Sequence, residues 1–380
     1  MTRQTIELES LAELDDHLAE TLHRLGRPSL RGAMVQSVDL SGRSSVLAEC
    51  DVAGAVLLGC ALADDVESEL RARGALVFPM LPDLPFNPYR STLYDADALF
   101  GDGPYAQSLD GIVYAWSREW RTTRDLRGSL AGTLHDHSIT DALDDLMLGI
   151  EPARVVGVMG GHDVHRSTPA FADAARLGRD LTRAGYTVLT GGGPGAMEAV
   201  NLGAYLSGFD DDALDDPQRG ALALLSAAPT FAGPGGIDAW VDAARAVRRA
   251  YPPARAGRSV GIPTWFYGHE PPNLFATDIA KYFINSVRED TLLHRCRGGI
   301  VVLPGAAGTV QEIFQASTEN YYAAQRALVA PLVLVGTEQW MTNLPVWPLL
   351  TALGAGRTMG ERLHLVADVT AVLPTLTSVR

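Results

Sequence analysis

The chain has 380 residues, 47% of them hydrophobic, and a formal net charge of −14. That much apolar sequence fills more than one ordinary domain core, and the acidic balance excludes a general nucleic-acid or membrane-surface binder while leaving room for a local phosphate pocket. Three cysteines, Cys50, Cys60 and Cys296, show no CxxC spacing, residues 1–10 are polar and acidic rather than leader-like, and no apolar run approaches the roughly 18 residues of a membrane span, so a cytoplasmic protein with reduced thiols is expected.

Residues 8–25 read as a helix. Short apolar runs at 33–38, 52–58 and 75–80 read as strands, with a helix over 64–73 between the last two. Proline and aromatic residues crowd positions 79–94, as in an ordered loop laid over a surface. Residues 1–150 are therefore expected to form a smaller N-terminal α/β domain, with 136–152 leading into the main domain, 151–380.

From Val155 the chain alternates strand-like runs with amphipathic segments, the pattern of a Rossmann-like, doubly wound parallel sheet. Val155–Met159 ends in Gly160-Gly161. Ser167 and Thr168 cap the next helix, Pro169 opens it, and its inward face is Phe171, Ala174, Gly178 and Leu181. After Gly185 comes a strand over 186–190, then Gly191-Gly192-Gly193-Pro194-Gly195 and a helix from Ala196. The acidic stretch 210–216 reads as a solvated loop, 221–225 as a strand, and 238–251 as a helix with a solvated arginine face. Residues 259–267 read as a strand, 273–288 as a helix, and 332–335 as a late strand. There is no internal repeat.

Gly299–Leu303 is a strand-like run ending in Pro304-Gly305-Ala306-Ala307-Gly308-Thr309, followed by Val310-Gln311-Glu312, the opening of a helix. A small-residue turn there bares backbone N–H groups, and the helix dipole adds partial positive charge, so a phosphate fits. Glu312 puts a carboxylate one turn from the same spot; alternatively it completes a capping box with Thr309. The turns at Gly160-Gly161, 191–195 and 304–309 would share the carboxyl edge of one sheet, where ligands bind in open α/β folds.

Other chemistries fit less well. Residues 191–196 match G-x-G-x-x-A, but they follow the second strand of their domain, and Asp210–Asp212 lie in a polar loop rather than at a strand end where they would hold a ribose. His162, Asp163 and His165, or His135 and His137, lack the companion ligands of a metal site, and no G-x-S-x-G elbow is present. A pyridoxal-phosphate enzyme would have to use Lys281, the only lysine, which reads as a surface or ion-paired residue.

Taken together, the run from Leu189 through Gly191, Gly192, Gly193, Gly195 and Met197 to Glu198, Arg288-Glu289 upstream, and the run from Pro304 to Glu312 resemble the paired motifs of the Lonely Guy (LOG) family. That family carries a glycine-rich loop with a following methionine, an upstream arginine and a PGGxGTxxE signature; the resemblance covers roughly residues 155–335. Its members are phosphoribohydrolases of nucleoside 5'-monophosphates, often mislabelled lysine decarboxylases. The chain's length is more like that of the longer nucleotide 5'-monophosphate nucleosidases of the superfamily. The resemblance implies hydrolysis of a purine nucleoside 5'-monophosphate to free base and ribose 5-phosphate, without cofactor or metal, in a homo-oligomer. It makes Glu312 and Arg288 the catalytic pair, and Gly160, Gly161, Gly191, Gly192, Gly193, Gly195, Met197, Pro304, Gly305, Gly308 and Thr309 the substrate and phosphate contacts. His269, Glu270, Asp278 or water remain candidates to protonate the leaving base. The chain departs from the pattern at Ala306, in the place of the second signature glycine, and at Pro194, which has no N–H to donate. A nucleotide sensor or carrier that catalyses nothing is the alternative on the same scaffold.

Overall fold

A computed structural model describes residues 6–123, 125–215, 220–232, 235–266 and 270–378. The chain divides into two units, 1–92 with 123–142, and 93–122 with 143–380.

Four short strands build the first unit: β1 (Ile6–Leu8), β2 (Ala33–Gln36), β3 (Val56–Leu58) and β4 (Leu76–Phe78), all parallel and in sequence order. The expected helix begins later, at Leu11–Leu25, because Ser10 caps it: Ser10 Oγ accepts from Glu13 N–H and the Glu13 carboxylate accepts from Ser10 N–H. The residues ahead of that cap pair as β1 instead. The helix buries Leu14 and Leu18 on a core with Val35, Leu57 and Val77 from the strands. With strands in sequence order, the connections of this sheet never diverge, so it has no switch point.

The second unit holds a parallel seven-stranded sheet: β5 (Val155–Met159), β6 (Thr187–Thr190), β7 (Ser259–Gly261), β8 (Asp278–Ile279), β9 (Gly299–Val302), β10 (Leu332–Val335) and β11 (Leu363–Val366). Their order is β11-β10-β9-β5-β6-β7-β8. This is the expected doubly wound, Rossmann-like α/β arrangement. The chain steps outward from β5 to β8, then returns to the other side of β5 with β9. The switch point therefore lies between β5 and β9, where the turns after Met159 and Leu303 part from one another. Among the described residues no helix is long and apolar enough to cross a membrane.

The helix Pro169–Arg183 starts as its sequence predicts, with Thr168 Oγ1 accepting from Phe171 N–H, and it buries Phe171, Ala174, Gly178 and Leu181. It packs on the helix Ala196–Leu206 at backbone distance: a Cβ on Gly203 would stand 1.7 Å from Ala175 O. No side chain fits there.

Several local expectations are overturned. Residues 221–225 are the helix Ala221–Leu225; the run contains only alanine and leucine, both good helix formers, and no β-branched residue. The strand at 259 stops at Gly261, two residues before Pro263. Residues 273–288 are not one helix: Asn273 turns the chain by accepting the N–H groups of Phe275 and Ala276, Asp278–Ile279 pairs with β7, and the helix Asn285–Arg295 follows. The acidic stretch contains a short helix, Asp212–Asp215, and position 216 lies outside the described residues.

The arginine face of the helix Gly236–Ala250 is only partly solvated: Arg249 is exposed, but Arg245 and Arg248 are half-buried. Arg248 makes a two-pronged pair with Asp97 at 2.6 and 2.9 Å, and Arg245 donates to the carbonyls of Phe100, Gly101 and Gly103. Those contacts tie residues 93–122 to the second unit, as do the reciprocal hydrogen bonds of Tyr94 and Ile279. A boundary drawn at 150 separates these partners, whereas the structural division keeps them together.

Candidate functional site

A cleft of about 490 Å³ opens at the switch point, within the range of small-ligand pockets. Its floor is three turns stitched by backbone hydrogen bonds: Gly161 N–H donates to Pro304 O at 3.0 Å, and Ala196 N–H donates to Gly161 O at 3.0 Å. Glycine is required where these turns meet. Gly195 has φ +73°, and a Cβ there would lie 2.5 Å from Gly161 O.

The helix Ala307–Tyr322 points its N-terminus at the cleft. Its N-cap is Ala306, which offers no side-chain acceptor, so Thr309 and Glu312 form no capping box. The first intrahelical bond runs from Val310 N–H to Ala306 O at 3.0 Å. The N–H groups of Ala307, Gly308 and Thr309 consequently have no acceptor within the helix, which leaves a concentrated positive end. Gly308 is exposed, and a Cβ built on it meets nothing within 4 Å. Behind the turn, Gln339 from a π-helical segment, Gln339–Asn343, donates to Gly305 O at 3.1 Å.

One turn deeper in the same helix stands Glu312. Its nearest charged partner is Arg288, whose Nη2 is 3.7 Å from Glu312 Oε1. Burial pushes the Glu312 carboxyl up to about 7; Arg288 pulls the other way and Glu289 adds to the rise. Arg288 itself is buried, reaching from the Asn285–Arg295 helix toward the turn after β6: a Cβ on Gly191 would lie 3.2 Å from Arg288 Nη1 and 2.7 Å from Met197 Sδ.

Of the residues singled out from the sequence, Gly160, Gly161, Gly191, Gly193, Met197, Arg288, Gly308, Thr309 and Glu312 line this one cleft. Gly192, Gly195, Pro304 and Gly305 are not among its lining residues. Gly192 N–H is already bonded to Thr190 Oγ1 at 3.0 Å, which removes it as a phosphate donor. His162 and Glu270 also line the cleft, with His162 Nδ1 3.8 Å from Glu270 Oε1. Asp278 does not; it pairs with Arg258 at 3.0 Å. His269 lies outside the described residues. Carboxylates of Asp163, Glu270, Glu289 and Glu312 share the lining with one guanidinium, so an anionic ligand would gain most from backbone N–H groups and Arg288.

The remaining candidates settle elsewhere. Lys281 is buried, though ion-paired as one reading expected: its Nζ donates to Asp110, which also accepts from Trp265 Nε1 at 2.8 Å and Tyr105 OH at 2.7 Å. Burial pulls its ammonium below the ordinary lysine value, with Asp110 opposing. His135 is buried edge-on to Phe86, while His137 and His165 are exposed. Glu198, next to the motif methionine, is spent on a buried two-pronged pair with Arg166, whose Nη1 also donates to Trp240 O.

Asn273 is the residue that sequence reasoning missed most completely. Its Nδ2 donates to Gly193 O at 3.2 Å and Asn201 Oδ1 at 2.9 Å, while its backbone N–H donates to Gly192 O at 2.8 Å. Asn201 in turn binds Thr190 and Ser259. This buried network fixes the glycine turn after β6. Asn273→Ala is expected to lower unfolding free energy by about 2 kcal/mol, because several buried groups lose their partner. Urea denaturation measures it; a change below about 0.5 kcal/mol would mean the network contributes little.

Residues 153–208 match the model of the SLOG cluster4 family. No curated protein matches the chain. Among solved structures, the molybdenum cofactor binding protein from the phototrophic bacterium Rippkaea orientalis is 16% identical, covering 59% of this chain and 96% of that one, with a TM-score of 0.35. The molybdenum cofactor carrier protein of Chlamydomonas reinhardtii is 18% identical, covering 59% of this chain and 98% of that one, with a TM-score of 0.33.

Proposed function

We propose that the cleft binds a purine nucleoside 5'-monophosphate and hydrolyses its N-glycosidic bond, giving free base and ribose 5-phosphate. One observation carries this reading: an uncapped helix N-terminus faces the cleft, and the same helix presents Glu312 one turn on, beside Arg288. A binding site for phosphate alone gains nothing from a carboxylate there.

In this reading the phosphate accepts from the N–H groups of Ala307, Gly308 and Thr309, with Gly193 closing the cradle. Anchoring the phosphate holds the ribose against Glu312, which converts binding energy into orientation. The bond from C1' to the base nitrogen breaks with its electron pair leaving on the base, and positive charge builds on the ribose. The Glu312 carboxylate stabilises that charge and takes a proton from the water that adds to C1'. The departing base takes a proton from Glu270, His162 or solvent. Arg288, always protonated, neutralises and orients rather than donating.

The test is release of free base from AMP, GMP and IMP, followed by chromatography and mass spectrometry of both products. Base and ribose 5-phosphate in equal amounts support the reading. Tight monophosphate binding with no base released would overturn it in favour of a non-catalytic sensor or carrier.

A further inference from the structure

Glu289 follows Arg288 in the Asn285–Arg295 helix and is 6% exposed. Three donors converge on its carboxylate. Asn285 Nδ2 at 2.7 Å and Arg288 Nη2 at 3.2 Å reach Oε1, and Gln311 Nε2 at 2.6 Å reaches Oε2. Gln311 immediately precedes Glu312, so Glu289 ties the helix that carries the arginine to the helix that carries the carboxylate. Arg288 Nε is occupied as well, donating to Asn285 Oδ1 at 3.0 Å.

The consequence is an uneven pairing. Arg288 is hydrogen-bonded to Glu289 and Asn285, yet it stands 3.7 Å from Glu312, beyond hydrogen-bond reach. A single arginine between two acids would ordinarily close on either, and a closed pair with Glu312 would take one of its oxygens from the cleft.

We propose that Glu289 is a positioning residue: it holds the Arg288 guanidinium off Glu312, so that the Glu312 carboxylate keeps its oxygens for water and the ribose. The proposal rests on the reading of Glu312 as the reacting carboxylate. The polar groups that share the cleft lining with Glu312 are Arg288 and Glu289 from one helix, Thr309 and Gln311 from its own, and His162, Asp163, Thr264 and Glu270 from other segments. Of these, Glu289 alone both bonds the arginine and reaches the Glu312 helix.

Two measurements on Glu289→Gln separate this proposal from the reading beneath it. Carboxyl carbon NMR of the labelled protein follows the Glu312 titration directly, without turnover. The midpoint is expected to fall by at least one pH unit from about 7, since a negative neighbour is lost and Arg288 is free to close on Glu312. In base release from AMP, kcat is expected to drop at least tenfold with KM within twofold, and the acid limb of the pH profile should move down with the NMR midpoint. Glu289→Asp should recover part of both. An unmoved Glu312 midpoint in folded protein would overturn the role of Glu289, whether or not the enzyme turns over. If wild type releases no base but the midpoint moves, the hydrolase reading falls and the placement of Arg288 stands. Should Glu289→Gln fail to fold, Gln311→Leu, which frees Glu289 from the Glu312 helix without changing charge, is read by the same titration.

Discussion

Glutamine in place of Glu312 is expected to lower kcat for base release by about a thousandfold while leaving the protein at least as stable above neutral pH. The loss follows from chemistry that an amide cannot perform: it neither takes a proton from water nor carries a charge opposite to that developing on the ribose. The stability change has a definite sign. Burial raises the folded-state value of Glu312 from 4.5 to about 7, so between those limits the folded protein holds a proton that the unfolded chain has released. Stability from this group is fully present below pH 4.5 and is lost as pH rises through about 7. Glutamine removes that dependence, with a gain of order 2–3 kcal/mol at pH 8 and almost none at pH 4. Wild-type kcat/KM should accordingly climb with pH to a plateau above about 7, because the carboxylate is the active form. Melting curves at the two pH values and a pH–rate profile check both halves. Undiminished turnover by Glu312→Gln would remove this residue from the mechanism.

The sequence made the cleft legible through one recurring physical signal. An apolar run of four or five residues followed by small residues at the run's end marks a strand entering a turn with bared backbone, and this occurs after Met159, Thr190 and Leu303. Strand order was not legible, since nothing in the local pattern says that β9 returns to the far side of β5; that return is what makes the turns after β5 and β9 a crevice. What stayed hidden depends on distant partners. Asn273 has no local mark to separate it from any loop asparagine, yet its side chain spans 80 positions to Gly193. The arginines at 245 and 248 read as solvated because their acceptors, carbonyls at 100–103 and Asp97, lie more than 140 positions away. Glu198 lies in the glycine-loop motif but pairs with Arg166 in the interior, whereas Glu289, one residue past Arg288, lines the cleft.

A second large effect comes from Gly308→Asp, for which stability and binding should move in opposite directions. Gly308 is the second residue of the Ala307–Tyr322 helix, is exposed, and has open space where a Cβ would go. An aspartate there replaces the residue least suited to a helix, apart from proline, and sets a negative charge against the positive end of the dipole, so unfolding free energy should rise by about 0.5–1 kcal/mol. The same carboxylate occupies the place where a phosphate would sit and repels it at close range, a like-charge contact worth several kcal/mol. Affinity for a nucleoside 5'-monophosphate should fall about 100-fold to 1000-fold, while Gly308→Ala, which adds a methyl without charge, should lose no more than about tenfold. Calorimetric titration with AMP measures the affinities, and urea denaturation measures the stability. Equal losses in the alanine and aspartate variants would point to crowding and take the phosphate away from this helix end. A loss confined to aspartate, with stability raised, ties the dianion to the N–H groups of residues 307–309, and with it the position of the ribose against Glu312.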